Sequence, residues 1–274
     1  MKKILHIKTI ILVLSSILLF SCEKVIEVDL KEADPRLVIE GNITSEAETY
    51  EVYLSTSGGY FDNTAVQPVE NGTVIFSDEV GNSVTLSESS PGIYTTDALV
   101  GVENMNYSLQ VSVNGEEFSG SDYLPPSIPL DSIYYLVDDF GGPGQEEDPP
   151  QYRIQCTFTD PVDTANYYRF MSYVNGERID GDFSPYRVTD DEFFDGNTIT
   201  LGIRGIPAYP GDVVRIELQS IGFNTYEYFR TLNDALSSGG MGSTPYNPIS
   251  NLDNGALGYF GAYSISSDSL VIQE

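Results

Sequence analysis

The sequence predicts an all-β protein: an N-terminal immunoglobulin-like β-sandwich followed by a second β-sandwich or open barrel with one packed helix. Three observations predict this. The composition is rich in strand and turn formers, with 19 Tyr, 13 Phe, 25 Gly and 15 Pro in 274 residues and no Trp. Short alternating apolar runs recur with turn signals between them, the mark of antiparallel strands. Only one stretch shows helical spacing.

The first sandwich is placed at 35–124. "RLVIEGNIT" (36–44) alternates and opens it. "ETYEVYLSTS" (48–57) puts Tyr50, Val52 and Leu54 on one face. "GTVIFSDEVGNSVTLSES" (72–89) folds as two strands around Gly81-Asn82, and "GIYTTD" (92–97) follows. In "NYSLQVSVNGEEFSGSDYL" (106–124), Asn114-Gly115 supplies the positive φ values of a two-residue hairpin turn. About seven strands in ninety residues is an immunoglobulin-like pattern.

"LPPSIPL" (124–130) carries three prolines, and residues 125–130 read as a stiff linker. The second domain is placed at 131–274. Its strands are "DSIYYLVDD" (131–139), "QYRIQCTFTDP" (151–161), "NYYRFMSYVNGERI" (166–179), "NTITLGIRGI" (197–206) and "GDVVRIELQSIG" (211–222). The helix falls at about 225–236. Asn224 or Thr225 is its expected cap, and Tyr228, Phe229, Leu232 and Leu236 form its apolar face. A loop is expected over 244–264 before the terminal "DSLVIQE".

The first 21 residues read as a signal peptide. Lys2, Lys3 and Lys8 precede an apolar run from Ile10 to Phe20, too short to span a bilayer, which takes about 20 apolar residues. The run ends in Leu19-Phe20-Ser21-Cys22, which resembles a bacterial lipobox. Acylation of Cys22 would make it the new N-terminus, with 22–34 as a tether. Each buried acyl CH₂ contributes about 0.8 kcal/mol, so several chains hold firmly. The expected address is the outer membrane, through lipid, on its periplasmic or cell-surface face.

Processing at Cys22 removes three lysines and the only histidine. Ten Lys+Arg then face 41 Asp+Glu, taking the net charge from −28 to −31. A histidine-free body has no Ser-His-Asp triad and no histidine metal ligand. One remaining thiol, Cys156, makes no intrachain disulfide, and its alternating context reads as core. The only mature lysines, Lys24 and Lys31, lie in the tether, which argues against Schiff-base chemistry. The acidic surplus repels phosphate backbones, so nucleic acid is not an expected partner.

Several features occur together in order: the lipobox, "PRLVIEG" (35–41), a "P…IPLDSI" junction (126–133), "YEYFRTL" (226–232) and "NPISNLDNGALGYFGAYS" (247–264). In this the chain resembles the domain-of-unknown-function 4249 family of Bacteroidetes-type lipoproteins. Members often sit beside TonB-dependent outer-membrane receptors. The resemblance therefore implies a non-catalytic accessory or docking role in nutrient uptake or envelope assembly, with an outer-membrane receptor or other envelope protein as partner. It carries no catalytic residue. Two alternatives stay open: a surface lipoprotein binding a glycan or metal complex, and a carboxylate-dependent hydrolase.

Candidate sites follow from residue chemistry. Asp138, Asp139, Glu146, Glu147 and Asp148 surround one loop, and "TDDEFFDGN" (189–197) is a second acidic cluster. Such charges read first as solvated loops. Calcium, which takes six to eight oxygens, is the alternative, with Asp190, Asp191 and Asp195 as ligands. No other cofactor is expected. Phe193 and Phe194 form a candidate docking patch, and Tyr186 and Arg187 a candidate recognition pair, since Tyr and Arg are favoured at hot spots. Asn251 and Asn254 read as a structural clasp, with ligand recognition as the alternative.

Overall fold

A computed structural model describes residues 34–58, 66–137, 150–179, 187–238 and 246–273. The lipobox, Cys22, the tether up to residue 33, the first acidic loop and Tyr186 lie outside the described residues. No described helix is long and apolar enough to cross a membrane. Residues Pro35–Glu274 form one compact unit.

The first half supplies β1 (Leu37–Thr44), β2 (Tyr50–Thr56), β3 (Gln67–Pro68), β4 (Thr73–Asp78), β5 (Ser83–Thr85), β6 (Ser87–Ser90), β7 (Ile93–Thr96), β8 (Met105–Val113) and β9 (Glu116–Leu124). Alternation makes these strands: in β2, Tyr50, Val52 and Leu54 are buried while Glu51 and Tyr53 are exposed. Asn114 and Gly115, at φ 54° and 82°, turn β8 into β9. The second half supplies β10 (Leu130–Val137), β11 (Gln151–Thr159), β12 (Tyr167–Val174), β13 (Glu177–Ile179), β14 (Arg187–Asp190), β15 (Thr198–Pro207), β16 (Val213–Ile221), helix α1 (Phe223–Ser238) and β17 (Leu257–Val271).

These strands form three sheets. One has the order β5-β4-β8-β9 and another β10-β11-β15. The third runs β13-β12-β16-β17-β1-β2-β7-β6, with β14 beside β12 and β3 beside β2. This large sheet belongs to both halves, so the proline-rich segment 125–130 does not divide it. One hydrophobic core joins Val52, Phe76, Leu109 and Phe260; the other joins Ile154, Phe158, Phe170 and Leu218. Each core lies between the large sheet and one of the smaller ones. The second half is thus a sandwich rather than a closed barrel.

β17 carries the handover. Its first part pairs with β1 in parallel, from Val38 opposite Leu257 to Thr44 opposite Tyr263. Its second part pairs with β16 antiparallel, from Ile221 opposite Tyr263 to Val213 opposite Val271. Much of this strand was expected as loop. Burial explains the difference: Gly258 and the run 260–264 are buried, so no alternation marks this part of the strand, and Gly258 and Gly261 look like turn formers. Gly258 sits at φ 89° against the Ile39 backbone, where any Cβ would collide with the Ile39 carbonyl.

The helix starts earlier than expected. The Tyr226 N–H donates to the Gly222 carbonyl at 3.0 Å, so Gly222 precedes the first turn. Thr225 is not the cap; it is fully buried, and its hydroxyl donates to Asp122 Oδ2 at 2.5 Å. Asp122 also accepts from the Ala262 N–H at 3.2 Å. A Cβ on Gly222 would strike that carboxylate. The buried face of α1 is Thr225, Tyr228, Phe229 and Thr231, whereas Leu236 is 59 % exposed. The helix covers the outer face of the large sheet: the Arg169 guanidinium lies 3.9 Å from the Phe229 ring centroid, and Tyr228 stacks on Tyr259 at 4.6 Å.

Burial pushes the Asp122 carboxyl up to about 7, against the downward pull of Thr225, Ala262 and Tyr123. Cys156 is fully buried in β11, and burial pushes its thiol up to about 12, as for an inert core residue.

Candidate functional site

The acidic turn between β14 and β15 stands at one end of the second sandwich. β11 delivers Asp160 to the same place, because Thr159 pairs with Thr198 and the Asp160 N–H donates to the Asn197 carbonyl at 3.1 Å. The turn closes on itself: Phe194 N–H donates to the Asp191 carbonyl at 2.8 Å, and Asn197 N–H to the Phe194 carbonyl at 2.9 Å.

Two buried carboxylates pin this turn from below. Asp160 is 2 % exposed; it accepts from the Tyr168 hydroxyl and from the Gly196 N–H at 2.9 Å. Asp191 is 8 % exposed and accepts from the Asn166 N–H at 2.8 Å. Asp195 accepts from the Asp163 N–H at 3.0 Å. Burial and the Asp160 carboxylate push the Tyr168 hydroxyl far above its ordinary range, so it stays a neutral donor.

One carboxylate oxygen from each of Asp160, Asp191 and Asp195 lies within 4.8 Å of the others. These oxygens are hard ligands of the type calcium takes. The trio keeps Asp191 and Asp195 from the expected set and replaces Asp190 with Asp160. Asp190 stands opposite Tyr167 in the β12–β14 pair and accepts the Tyr226 hydroxyl at 2.7 Å. It is therefore committed to the helix.

The two phenylalanines diverge. Phe194 packs inward, with its ring centroid 6.3 Å from Phe158 and 6.2 Å from Tyr168. Phe193 points out and is 90 % exposed. Val162, 67 % exposed, touches the same turn, since a Cβ on Gly196 would lie 3.1 Å from its Cβ. Below them, Tyr167 sits 4.9 Å from Tyr226 and 5.5 Å from Phe223, which is 55 % exposed. Burial and the nearby Asp191, Asp190 and Glu227 carboxylates all raise the Tyr167 hydroxyl.

The other sequence candidates lie elsewhere. Arg187 opens β14 and donates to the Arg204 carbonyl at 2.8 Å. Asn251 gives its amide to the Phe260 carbonyl at 2.7 Å and the Ser121 carbonyl at 3.0 Å, and accepts the Phe260 N–H at 3.0 Å. Asn254 turns the chain at φ 48° and donates to the Glu117 carbonyl at 3.2 Å. Both amides donate to backbone carbonyls of other segments; Asn251 is half-buried and Asn254 is exposed. Asp160 and Asp122 escaped sequence reasoning. Asp122 left a signal: it occupies an inward position of β9, between the buried Gly120 and Leu124.

No significant match is found among curated proteins. Among solved structures, the chain is similar to one titled "Cytokine receptor complex - Crystal form 1A", with 10 % identity over 86 % of this chain and 95 % of that chain and a TM-score of 0.26. It is also similar to the Yersinia pseudotuberculosis adhesin InvE, with 16 % identity over 68 % of this chain and 56 % of that one and a TM-score of 0.20. Likenesses at this level carry no argument about fold or function. The family comparison is specific: residues 23–269 match the model for a domain of unknown function, DUF4249, and the chain belongs to that family.

Proposed function

We propose that this chain is a non-catalytic lipoprotein, anchored in the outer membrane through Cys22, whose body docks on an outer-membrane receptor. One observation carries the docking reading: Phe193 is 90 % exposed on a turn pinned by buried carboxylates. A large ring held in water on a fixed backbone loses little conformational entropy on binding, which favours it as an interface anchor. The lipobox-like segment ending at Cys22 supports the anchor, and TonB-dependent receptors are the neighbours that the family implies.

The test is a photo-crosslinking amino acid at position 193 of the full chain in its native membrane. The expected product is an adduct with a β-barrel receptor, identified by mass spectrometry. A chain that is lipidated at Cys22 and yields no adduct overturns the docking reading.

The meeting of Asp160, Asp191 and Asp195 favours a second reading, in which calcium braces the same turn. Calcium would then raise the melting temperature of the wild type but not of Asp195→Asn. Equal response of the two chains removes this reading.

A further inference from the structure

The surface around Phe193 has a strongly one-signed charge. Segments 160–168 and 188–203 contain Asp160, Asp163, Asp190, Asp191, Glu192 and Asp195 and not one Lys or Arg. Asp163, Glu192 and Asp195 are exposed there and Asp190 is half-buried, while Asp160 and Asp191 lie buried beneath them. Arg187, half-buried at the start of β14, gives its guanidinium to the Arg204 carbonyl. The helix beside them has a single cation, Arg230, which is paired with Glu227 at 2.8 Å and Asp234 at 3.3 Å. Arg169 lies against Phe229 beneath the helix and is 5 % exposed. The aromatic cluster of Tyr167, Phe223 and Tyr226 stands within this acidic field, tied to it by the bond from Tyr226 to Asp190.

An exposed ring, Phe223, backed by two half-buried tyrosines and set near carboxylates, suits one kind of group above others. A guanidinium stacks on an aromatic ring, gains from the ring quadrupole and answers the negative field at the same time. An anionic group would be repelled, and a neutral one would leave the charges unanswered. Resting on the docking reading above, we infer that the partner presents an arginine-bearing segment, which stacks on Phe223 beside Tyr167 and Tyr226 while Phe193 seats in the partner. The charge pattern supplies orientation and on-rate, and the rings supply the contact.

The experiment uses the purified full chain in detergent with EDTA present, so that bound divalent ions do not mask the carboxylates. Surface plasmon resonance is measured against two peptides immobilised through biotin, acetyl-Gly-Arg-Gly-Arg-Gly-Lys(biotin)-amide and its twin with citrulline in place of both arginines. The arginine peptide is expected to bind saturably, at least about tenfold more tightly than the citrulline twin, with affinity falling as salt rises. Phe223→Ala is expected to weaken it about two- to thirty-fold, the range of a cation–π contact. Glu192→Gln, also at an exposed position, is expected to weaken it and lessen the salt dependence. Equal binding of the two peptides overturns the inference, as does an unchanged affinity in both variants. Binding of cellohexaose that Phe223→Ala abolishes, with no preference between the peptides, assigns the surface to a glycan and also overturns it. A position-193 adduct without arginine preference leaves docking in place and removes only this inference, whereas loss of the adduct removes docking itself.

Discussion

Tyr263 stands opposite Thr44 on one edge of its strand and opposite Ile221 on the other. At that residue the backbone pairing of β17 passes from the first sandwich to the second. The two cores are therefore joined through a continuous strand rather than through the proline segment. Phe260, three residues earlier, is fully buried with its ring 5.5 Å from Phe76. Phe260→Ala is expected to cost about 3–5 kcal/mol. Because β17 serves both cores, denaturant unfolding followed by far-UV circular dichroism and by tyrosine fluorescence should give coincident transitions in wild type and variant. Separate transitions for the two halves would contradict the shared strand.

Asp122 predicts a pH dependence with a definite sign. Its folded-state value, about 7, lies above the ordinary 3.8, so the folded state holds the proton more tightly than the unfolded chain. Its contribution to stability is fully present below about pH 4, declines as pH rises towards 7, and is lost above that. The other carboxylates titrate in both chains and cancel on comparison with Asp122→Asn. The stability of wild type minus that of Asp122→Asn should therefore fall between about pH 4 and 7 and then level off. A flat difference across that window would count against the burial of this carboxyl. Gly222→Ala, which drives a methyl into the same carboxylate, should cost about 1–3 kcal/mol at any pH.

Phe193 and Phe194 are neighbours with opposite expectations. Phe193→Ala should change stability by less than about 0.5 kcal/mol, because the ring is already in water. Phe194→Ala should cost about 3 kcal/mol, the low end for a phenylalanine truncation because the ring is half-buried, since it packs against Phe158 and Tyr168. Equal effects on the melting temperature would mean that the turn is not held as described.

What the sequence could and could not show follows from these same residues. Strands with one wet face were legible, because Tyr50, Val52 and Leu54 alternate with polar neighbours. β17 was not, because burial on both faces removes alternation and its glycines imitate a turn. Its parallel pairing with β1 joins residues more than two hundred positions apart, which no local pattern encodes. At the acidic turn, the cluster was visible but its membership was not. Asp190 and Asp191 are adjacent, yet one accepts from the helix through Tyr226 and the other from Asn166. Asp160 arrives from a different strand, and only the β11–β15 register brings it there.

The asparagine clasp gives the last expectation. Asn251 mimics a strand residue: its side-chain amide both donates to the Phe260 carbonyl and accepts the Phe260 N–H, and it also reaches the Ser121 carbonyl on β9. Asn251→Ala leaves a half-buried N–H and two carbonyls without this partner. The cost of orphaned backbone groups is about 1–3 kcal/mol. Asn251→Asp keeps the acceptor for the Phe260 N–H but loses both donations and places a carboxylate against two carbonyl oxygens, so it should be no milder. Asn254 contributes one bond and a left-handed turn. Asn254→Ala should cost about 1 kcal/mol, the penalty for placing a Cβ residue at φ 48° without a compensating side-chain bond, and Asn254→Gly less. Chemical denaturation of the four variants checks the order. If Asn251→Ala left stability unchanged, the clasp would be removed and Asn251 returned to the list of recognition residues.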